Sequence, residues 1–178
     1  KNNWHFYNHQ LETVTKTVQG YDVLLVAPTG GGKTLAGFLP ALEDLINNQH
    51  PKNQLHTLYI SPLKALTVDV HRNLLAPIQD QKLDINVETR TGDTSSYKKA
   101  RQKQAPPHML MTTPESLALL LASPEANDYF KFLKFLIIDE IHSLVNSKRG
   151  DLLSLNLSRL ETIAPKCQKL GLSATVKN

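Results

Sequence analysis

A glycine-rich loop that follows a short apolar strand and opens a helix is the feature that most restricts how this chain can fold. Residues 23–26 are the apolar run VLLV, and the sequence APTGGGKT follows directly at residues 27–34. Glycines let the backbone wrap closely around phosphate and aim its N–H groups inward, and the helix N-terminus adds a partial positive charge. The strand–loop–helix unit therefore predicts an α/β fold with a phosphate-binding loop.

Each residue of this loop has an expected task. Lys33 would reach the β- and γ-phosphates of a nucleotide, and the Thr34 hydroxyl would bind Mg²⁺. Ala27 stands where the usual pattern begins with glycine. A glycine-rich turn that happens to precede a lysine is the alternative interpretation. The remaining phosphate contacts are expected at Thr29, Gly30, Gly31 and Gly32.

Two adjacent acids end the most apolar strand of the chain. Asp139 and Glu140 follow the run FLII at residues 135–138. Acids at the end of a buried strand are costly without a partner, and a metal–phosphate complex supplies one. Asp139 would hold Mg²⁺, and Glu140 would orient and deprotonate the attacking water. The alternative is the start of a solvated loop, but the phosphate loop upstream favours a nucleoside triphosphatase.

Short apolar runs alternate with helical patterns along the whole chain. Strands are predicted at residues 23–26, 55–60, 85–89, 109–112, 135–138 and 169–172. Helices are predicted at residues 33–47, from Leu63 through Leu74, after Pro114, and after Gly150 to about Leu160, with loops at 92–96 and 146–151 and a connector at 105–107. This alternation predicts an open, mainly parallel sheet with helices on both faces. Right-handed crossovers would bring every strand-to-helix loop to one edge, where such sheets bind ligands.

Composition adds few restrictions. The 178 residues suit one domain, 1–178, and the net charge of +4 gives slight support to a phosphate-rich partner. No apolar run approaches the length of a membrane span, and no signal-peptide pattern opens the chain. A single cysteine, Cys167, fits a reduced cytoplasmic protein. The histidines show no spacing typical of metal ligands, so the sequence predicts no zinc site.

Seven short motifs in a fixed order resemble the first motor domain of superfamily 2 helicases of the DExH kind, a RecA-like P-loop domain. Within that superfamily, residues 59–66, 90–95, 147–150 and 171–176 are similar to the large helicase-related (Lhr) family and to ligase-associated DNA helicases. The resemblance covers essentially the whole chain. The seven motifs are Gln10, APTGGGKT at 27–34, SPLKAL at 61–66, RTGDT at 90–94, TTPESL at 112–117, DEIH at 139–142 and SAT at 173–175.

The resemblance implies roles for individual residues. Gln10 would read adenine through its side-chain amide, unless it is a surface glutamine of the first helix. A residue that stacks on adenine is not assigned among Trp4, Phe6 and Tyr7, which would equally serve as a hydrophobic anchor. Segments after three strands would grip a phosphodiester backbone without reading bases, although each alone is an ordinary turn with a capping residue. The residues concerned are Ser61, Pro62, Lys64, Arg90, Gly92, Asp93, Thr113, Pro114 and Glu115.

The last motif would relay the nucleotide state to a partner domain. His142 is the expected local contact of Ser173 and Thr175. Lys148 and Arg149 would touch nucleic acid or the partner domain, or lie in a solvated loop. Superfamily 2 motors need a second RecA-like domain of the same polypeptide, which this chain does not contain, so turnover by the chain alone is expected to be very slow.

The resemblance implies an ATP-dependent DNA helicase that hydrolyses ATP with Mg²⁺ and moves on single-stranded or tailed DNA in the 3′-to-5′ sense. An RNA helicase, or a translocase that remodels complexes without unwinding, is the main alternative. A non-catalytic nucleotide switch is a further alternative. The Asp139–Glu140 pair argues against it, because a switch needs no acid that activates water.

Overall fold

The computed structural model describes residues 7–174, and these form a six-stranded, entirely parallel sheet in the order β1-β6-β5-β2-β4-β3. Trp4, Phe6 and Thr175 lie outside the described residues. The strands are β1 Val23–Val26, β2 Thr57–Ile60, β3 Val87–Arg90, β4 Met109–Thr112, β5 Phe135–Ile138 and β6 Gln168–Ser173. The helices are α1 Asn8–Val18, α2 Lys33–Asn47, α3 Lys64–Asp80, α4 Ser96–Gln104, α5 Pro114–Leu121, α6 Ala126–Phe130, α7 Ile141–Leu144 and α8 Lys148–Ile163.

Two hydrophobic cores lie on opposite faces of the sheet, because successive side chains of each strand point to opposite sides. In β2, Leu58 and Ile60 pack with helices α5, α6 and α8, whereas Tyr59 packs with α2 and α3. Strands β2, β4 and β5 are buried along their whole length, as expected for the centre of a parallel sheet covered on both faces. The predicted fold class, a RecA-like open parallel sheet with helices on both faces, is confirmed.

The predicted strands agree with the structure at β1, β4 and β5, and the bounds of the others differ slightly. The strand predicted from residue 55 begins at Thr57, and the one predicted at 85–89 lies at Val87–Arg90. Helix α4 was not predicted, since its sequence SYKKARQKQ has almost no apolar face. The short helices α6 and α7 were also missed.

The loop predicted at residues 146–151 is wrong after Ser147, because α8 begins at Lys148. The Ser147 hydroxyl accepts a hydrogen bond from the N–H of Gly150 (3.1 Å) and caps this helix. A side chain at Gly150 would lie against the Leu144 carbonyl, so the glycine allows close packing rather than a flexible loop. None of the described helices combines the length and hydropathy needed to cross a bilayer.

Candidate functional site

The carboxyl edge of the sheet collects the motifs that end or follow the strands, and the strand order divides this edge into two halves. The phosphate loop, the acidic pair and Ser173 follow or end β1, β5 and β6, which are neighbours. The segments at Ser61, Thr91 and Thr113 follow β2, β3 and β4, which form the other half. The two halves meet between β5 and β2, so groups bound at each half would lie side by side.

The phosphate loop has the backbone conformation that its glycines permit. Gly30 and Gly32 have positive φ angles of 82° and 70°, a region that residues with a Cβ rarely adopt. At Gly31 a Cβ would lie 3.0 Å from the Pro28 carbonyl oxygen. Lys33 is buried, and its ammonium donates a hydrogen bond to that same carbonyl (3.0 Å). The ammonium is therefore held directly over the loop that would cradle a phosphate.

Gln10 lies against the phosphate loop rather than on the surface. Its side-chain amide donates to the Gly32 carbonyl (3.2 Å) and accepts from the N–H of Tyr7 (2.9 Å), and the residue is only 3% exposed. The alternative of a surface glutamine is therefore wrong. Tyr7 is exposed, and its ring lies within 3.6 Å of the position that a Cβ on Gly32 would take.

Asp139 is a buried carboxylate that three neutral groups hold in place. Its Oδ2 atom accepts hydrogen bonds from the Tyr59 hydroxyl (2.8 Å) and the Thr34 hydroxyl (3.3 Å), and its Oδ1 atom accepts from the N–H of Glu140 (2.8 Å). Within residues 7–174 no lysine, arginine or histidine forms an ion pair with it. A buried charge without a cationic partner beside a hydroxyl fits Mg²⁺, which prefers carboxylate and hydroxyl oxygens.

Tyr59 is a functional candidate that the sequence analysis missed. It lies on β2 and is 1% exposed, and its hydroxyl reaches across to Asp139, which directly follows β5. Burial, reinforced by the carboxylate of Asp139, raises the pKa of Tyr59 far above its usual value. The hydroxyl therefore stays protonated and donates to the carboxylate. In the sequence, a tyrosine in an apolar strand is indistinguishable from an ordinary core residue. No sequence pattern therefore predicts the contact between the Tyr59 hydroxyl and Asp139.

Glu140 has a strained backbone, with φ 53° and ψ 40° in the left-handed region. Its carboxylate lies 3.1 Å from Nε2 of His142. The N–H of Ala174 donates to Nδ1 of His142 (3.2 Å), which leaves the ring proton of a neutral imidazole on Nε2, facing Glu140. The Ser173 hydroxyl lies 3.4 Å from the same Nδ1 atom. The contact expected between His142 and the end of β6 is therefore present and continues to Glu140.

In the other half of the edge, Lys64 and Asp93 form an exposed ion pair with contacts of 3.0 and 3.1 Å. They line an open cleft of about 420 Å³ together with Thr91, Thr94, Ser95 and Lys98. Gly92 faces the Lys64 ammonium, at 3.5 Å from where a Cβ would lie. Ser61 and Pro62 are buried, and the Ser61 hydroxyl accepts from the N–H of Leu63 (3.3 Å), so Ser61 shapes the turn that presents Lys64.

Arg90 does not face this cleft. It is 6% exposed and donates to the Lys99 carbonyl (2.9 Å), and burial lowers the pKa of its guanidinium. The predicted contact of its side chain with nucleic acid would require a rearrangement. In the structure the side chain instead holds the first turn of α4 through the Lys99 carbonyl. The sequence analysis did not predict this burial of Arg90, because a sequence motif does not indicate which side chains are buried.

Helix α5 begins at the third segment of this half. Thr113 is buried and caps α5, while the buried Asn156 donates to the Pro114 carbonyl (3.1 Å) and ties the start of α5 to α8. Glu115 is paired by both carboxylate oxygens with Arg149, the second contact being 3.1 Å. Arg149 is therefore held beside the start of α5 rather than in a solvated loop.

Comparison with known proteins places this arrangement in a family. The family model described as DEAD/DEAH box helicase matches residues 7–178. The chain is 41% identical over 180 residues to the ATP-dependent helicase Lhr-Core protein 2 of Thermococcus barophilus, covering 94% of this chain and 21% of that protein. It is 40% identical over 173 residues to the Lhr helicase/uracil glycosylase of Escherichia coli, covering 87% of this chain and 11% of that protein.

Solved structures of similar proteins agree. The Mycobacterium smegmatis helicase Lhr bound to ssDNA and AMP-PNP superposes with a TM-score of 0.85 at 39% identity, covering 95% of this chain and 23% of that one. The DUF1998 helicase MrfA bound to DNA and AMPPNP superposes with a TM-score of 0.83 at 27% identity, covering 97% of this chain and 24% of that one. The chain thus spans about a fifth of the length of its Lhr-Core relative.

Proposed function

Because this chain belongs to the DEAD/DEAH box helicase family, we propose that it is the ATP-hydrolysing motor domain of a DNA helicase. The observation that carries the proposal is the approach of the Thr34 hydroxyl to Oδ2 of Asp139 at 3.3 Å. Thr34 lies in the first turn of the helix after the phosphate loop, and Asp139 directly follows a buried strand. Structures of relatives bound to DNA and AMP-PNP support both ligands.

The residues of the nucleotide half divide the chemistry among them. Gln10 would read the adenine, and Thr29 with Gly30, Gly31 and Gly32 would surround the phosphates. Lys33 would leave the Pro28 carbonyl for the γ-phosphate. Thr34 and Asp139 would hold Mg²⁺, which when bound neutralises charge that develops on the phosphate oxygens.

Glu140 would orient the attacking water and accept its proton. The His142 ring, held by the N–H of Ala174, fixes one oxygen of Glu140 and leaves the other free for water. The same ring connects the general base to the end of β6. We propose that Ser173 and Thr175 report the nucleotide state along this path.

The other half of the edge would grip the phosphodiester backbone without reading bases. Lys64 is exposed and already paired with Asp93. On binding nucleic acid, the ammonium of Lys64 would exchange the carboxylate of Asp93 for a phosphate. The N-terminus of α5 at Thr113 would add a partial positive charge that favours a second phosphate. Gly92, Pro114 and Glu115 complete the same surface.

A second RecA-like domain of the same polypeptide would complete the active site. The Lhr-Core relative is about five times as long as this chain, which leaves ample length for such a domain. In related phosphoryl transfers an arginine supplied from outside the nucleotide-binding domain accelerates the reaction roughly 10³- to 10⁵-fold. We therefore expect the chain alone to bind ATP and Mg²⁺ but to turn over very slowly.

The test is steady-state ATP hydrolysis by the full-length protein without nucleic acid, with single-stranded DNA, and with single-stranded RNA of the same sequence. Stimulation by DNA alone supports the proposal, and Glu140→Gln provides the blank. Stimulation by RNA alone would move the protein to the RNA helicases, and indifference to both would refute the nucleic-acid surface.

Lys64→Ala tests the backbone grip, and Lys131→Ala is its matched control. Both lysines pair with an exposed aspartate, and their side chains are 54% and 50% exposed. Lys131 follows α6, away from the carboxyl edge. Lys64→Ala should weaken DNA binding equally for all sequences and reduce the salt dependence by about one unit of slope, whereas Lys131→Ala should change neither.

The 3′-to-5′ direction follows from the resemblance to superfamily 2 motors. Duplexes with a single-stranded tail at only the 3′ or only the 5′ end separate the two directions. We expect unwinding of the 3′-tailed duplex and none of the 5′-tailed one. The reverse preference would refute the assigned direction but leave the ATPase proposal intact.

A further inference from the structure

A cluster of two histidines and one aspartate lies at the amino edge of the sheet, far from the site described above. Asp44 is in the last turn of α2, His56 directly precedes β2, and His50 lies in the loop between them. Asp44 follows Lys33 by 11 residues in α2, so the cluster lies about 16 Å along the helix from Lys33. No step of ATP hydrolysis or DNA binding uses these three residues.

The ligand atoms of this cluster converge on one point. Nε2 of His56 lies 2.8 Å and Nε2 of His50 3.1 Å from the same oxygen, Oδ2 of Asp44. One ligand atom from each residue lies within 4.8 Å of the other two. Zinc ligands at bond lengths of about 2.0–2.1 Å in a tetrahedron are about 3.3 Å apart, so the spacing is close to that of a metal site.

Hydrogen bonds from neighbouring groups orient the ligand side chains. Nδ1 of His56 is 2.8 Å from the Thr57 hydroxyl, which fixes the ring with Nε2 facing the aspartate. Oδ1 of Asp44 accepts from Lys134 and from Asn48 (2.9 Å), so Oδ2 is left for the convergence point. His56 is 4% exposed, and burial disfavours the charged ring, which cannot bind a metal.

We propose that Asp44, His50 and His56 form a binding site for a transition-metal cation such as Zn²⁺. Two imidazole nitrogens and one carboxylate oxygen are a donor set that suits zinc, with the fourth position open to water or another ligand. The sequence analysis predicted no zinc site, because the spacing of the two histidines matches no familiar motif and the aspartate comes from the preceding helix. Bound metal would tie the end of α2 to the start of β2 across the loop at residues 48–56.

The same three residues would otherwise share protons, with each Nε2–H donating to Asp44. A titration of the metal-free protein with Zn²⁺ in excess Mg²⁺ separates the two arrangements, since Mg²⁺ occupies oxygen-only sites and competes poorly for imidazole. A competing chromophoric chelator reports the affinity and stoichiometry. Tetrahedral Co²⁺ gives visible absorption bands as an independent readout.

His50→Gln is the informative variant, because His50 is partly exposed and its replacement leaves the buried His56 in place. His71→Gln is the control, since His71 is also partly buried but bonds only the Val87 carbonyl (3.0 Å). We expect one Zn²⁺ per chain in the wild type and in His71→Gln, and at least a tenfold weaker affinity in His50→Gln. Circular dichroism verifies that each variant is folded.

Thermal unfolding provides the second measurement, because an ion that binds only the folded state raises its stability by mass action. Zn²⁺ should raise the Tm of the wild type and of His71→Gln but not that of His50→Gln. Equal zinc affinity in all three proteins, or no stoichiometric binding in any, would overturn the proposal and leave a hydrogen-bonded cluster.

Discussion

The strained backbone of Glu140 leads to a prediction that separates catalysis from stability. Glu140 has φ 53° and ψ 40° without being a glycine. The left-handed conformation costs a residue with a Cβ roughly 1–2 kcal/mol. Glycine avoids this cost but loses more chain entropy on folding, roughly 0.5–1 kcal/mol. Glu140→Gly should therefore stabilise the fold by about 1 kcal/mol while it removes the proposed general base.

The contact between Glu140 and His142 is a second contribution to stability, and a comparison of two variants accounts for it. Glu140→Gln removes the charge but retains the Cβ and the strain. Both side chains of the pair are more than a quarter exposed, so the pair itself is worth no more than about 1 kcal/mol. Glutamine can still accept from Nε2–H of His142, so the stability difference between Glu140→Gly and Glu140→Gln gives a lower bound on the backbone contribution. For a chain of 178 residues, about 1 kcal/mol corresponds to a rise in Tm of about 2–4 °C.

Lys82→Gly is the matched control. Lys82 has φ 52° and lies in an exposed turn after α3. The Lys82→Gly variant should be stabilised by a similar amount in thermal or denaturant unfolding. The full-length protein that carries this change should lose no ATP turnover. The reasoning fails if Lys82→Gly is stabilised but the Tm of Glu140→Gly is no higher than that of Glu140→Gln. In that case the backbone of Glu140 is not strained.

Three further outcomes are expected. Gly32→Ala and Gly20→Ala, at φ 70° and 87°, should each lose roughly 1 kcal/mol of stability, measured by denaturant unfolding. Only Gly32→Ala should also weaken ATP binding, measured by calorimetry, because its Cβ would lie 2.7 Å from the side-chain amide of Gln10, the proposed adenine contact, whereas the space around Gly20 is open. Tyr59→Phe removes the hydrogen bond to Asp139 (2.8 Å) and should lower the ATP turnover and raise the Mg²⁺ concentration it requires; an unchanged Mg²⁺ dependence would contradict the positioning role. Burial raises the pKa of Cys167 to about 12, so iodoacetamide at pH 8 should label it only in unfolded protein, and mass spectrometry of the native chain detects any exception.

The elements that the sequence predicted best are those whose signal is local. The run at β5 is apolar throughout and β-branched, and the phosphate loop has a spacing that few other structures require. Helix α4 was missed because its apolar periodicity is absent, and α8 begins early because Gly150 allows packing instead of ending a helix. The first and last residues of helices and strands depend on such tertiary contacts, and sequence patterns do not indicate them.

Site residues were predictable where a motif named them and unpredictable where only burial decides. Gln10, Lys33 and Asp139 lie together at the predicted edge, although their catalytic roles stay predictions. Arg90 has the residue type of a phosphate ligand, yet its guanidinium is enclosed by α4. Tyr59 has the residue type of a core position, yet its hydroxyl reaches the acidic pair. Both depend on the direction in which a side chain leaves its strand, which is set by register across neighbours.

The pairing of β1 with β6 has a consequence for how this domain assembles during synthesis. Val23 is paired with Leu170, and the N–H of Ala27, the first residue of the phosphate loop, donates to the Ser173 carbonyl (3.2 Å). Among the described residues, β1 is an edge strand and its neighbour in the sheet is β6, which follows it by more than 140 residues. Pairings between residues so distant in sequence are slow to form. We therefore expect a nascent chain to collapse around β2, β4 and β5 while its phosphate loop is still unsupported, and we expect β1 to pair only after residue 173 has left the ribosome.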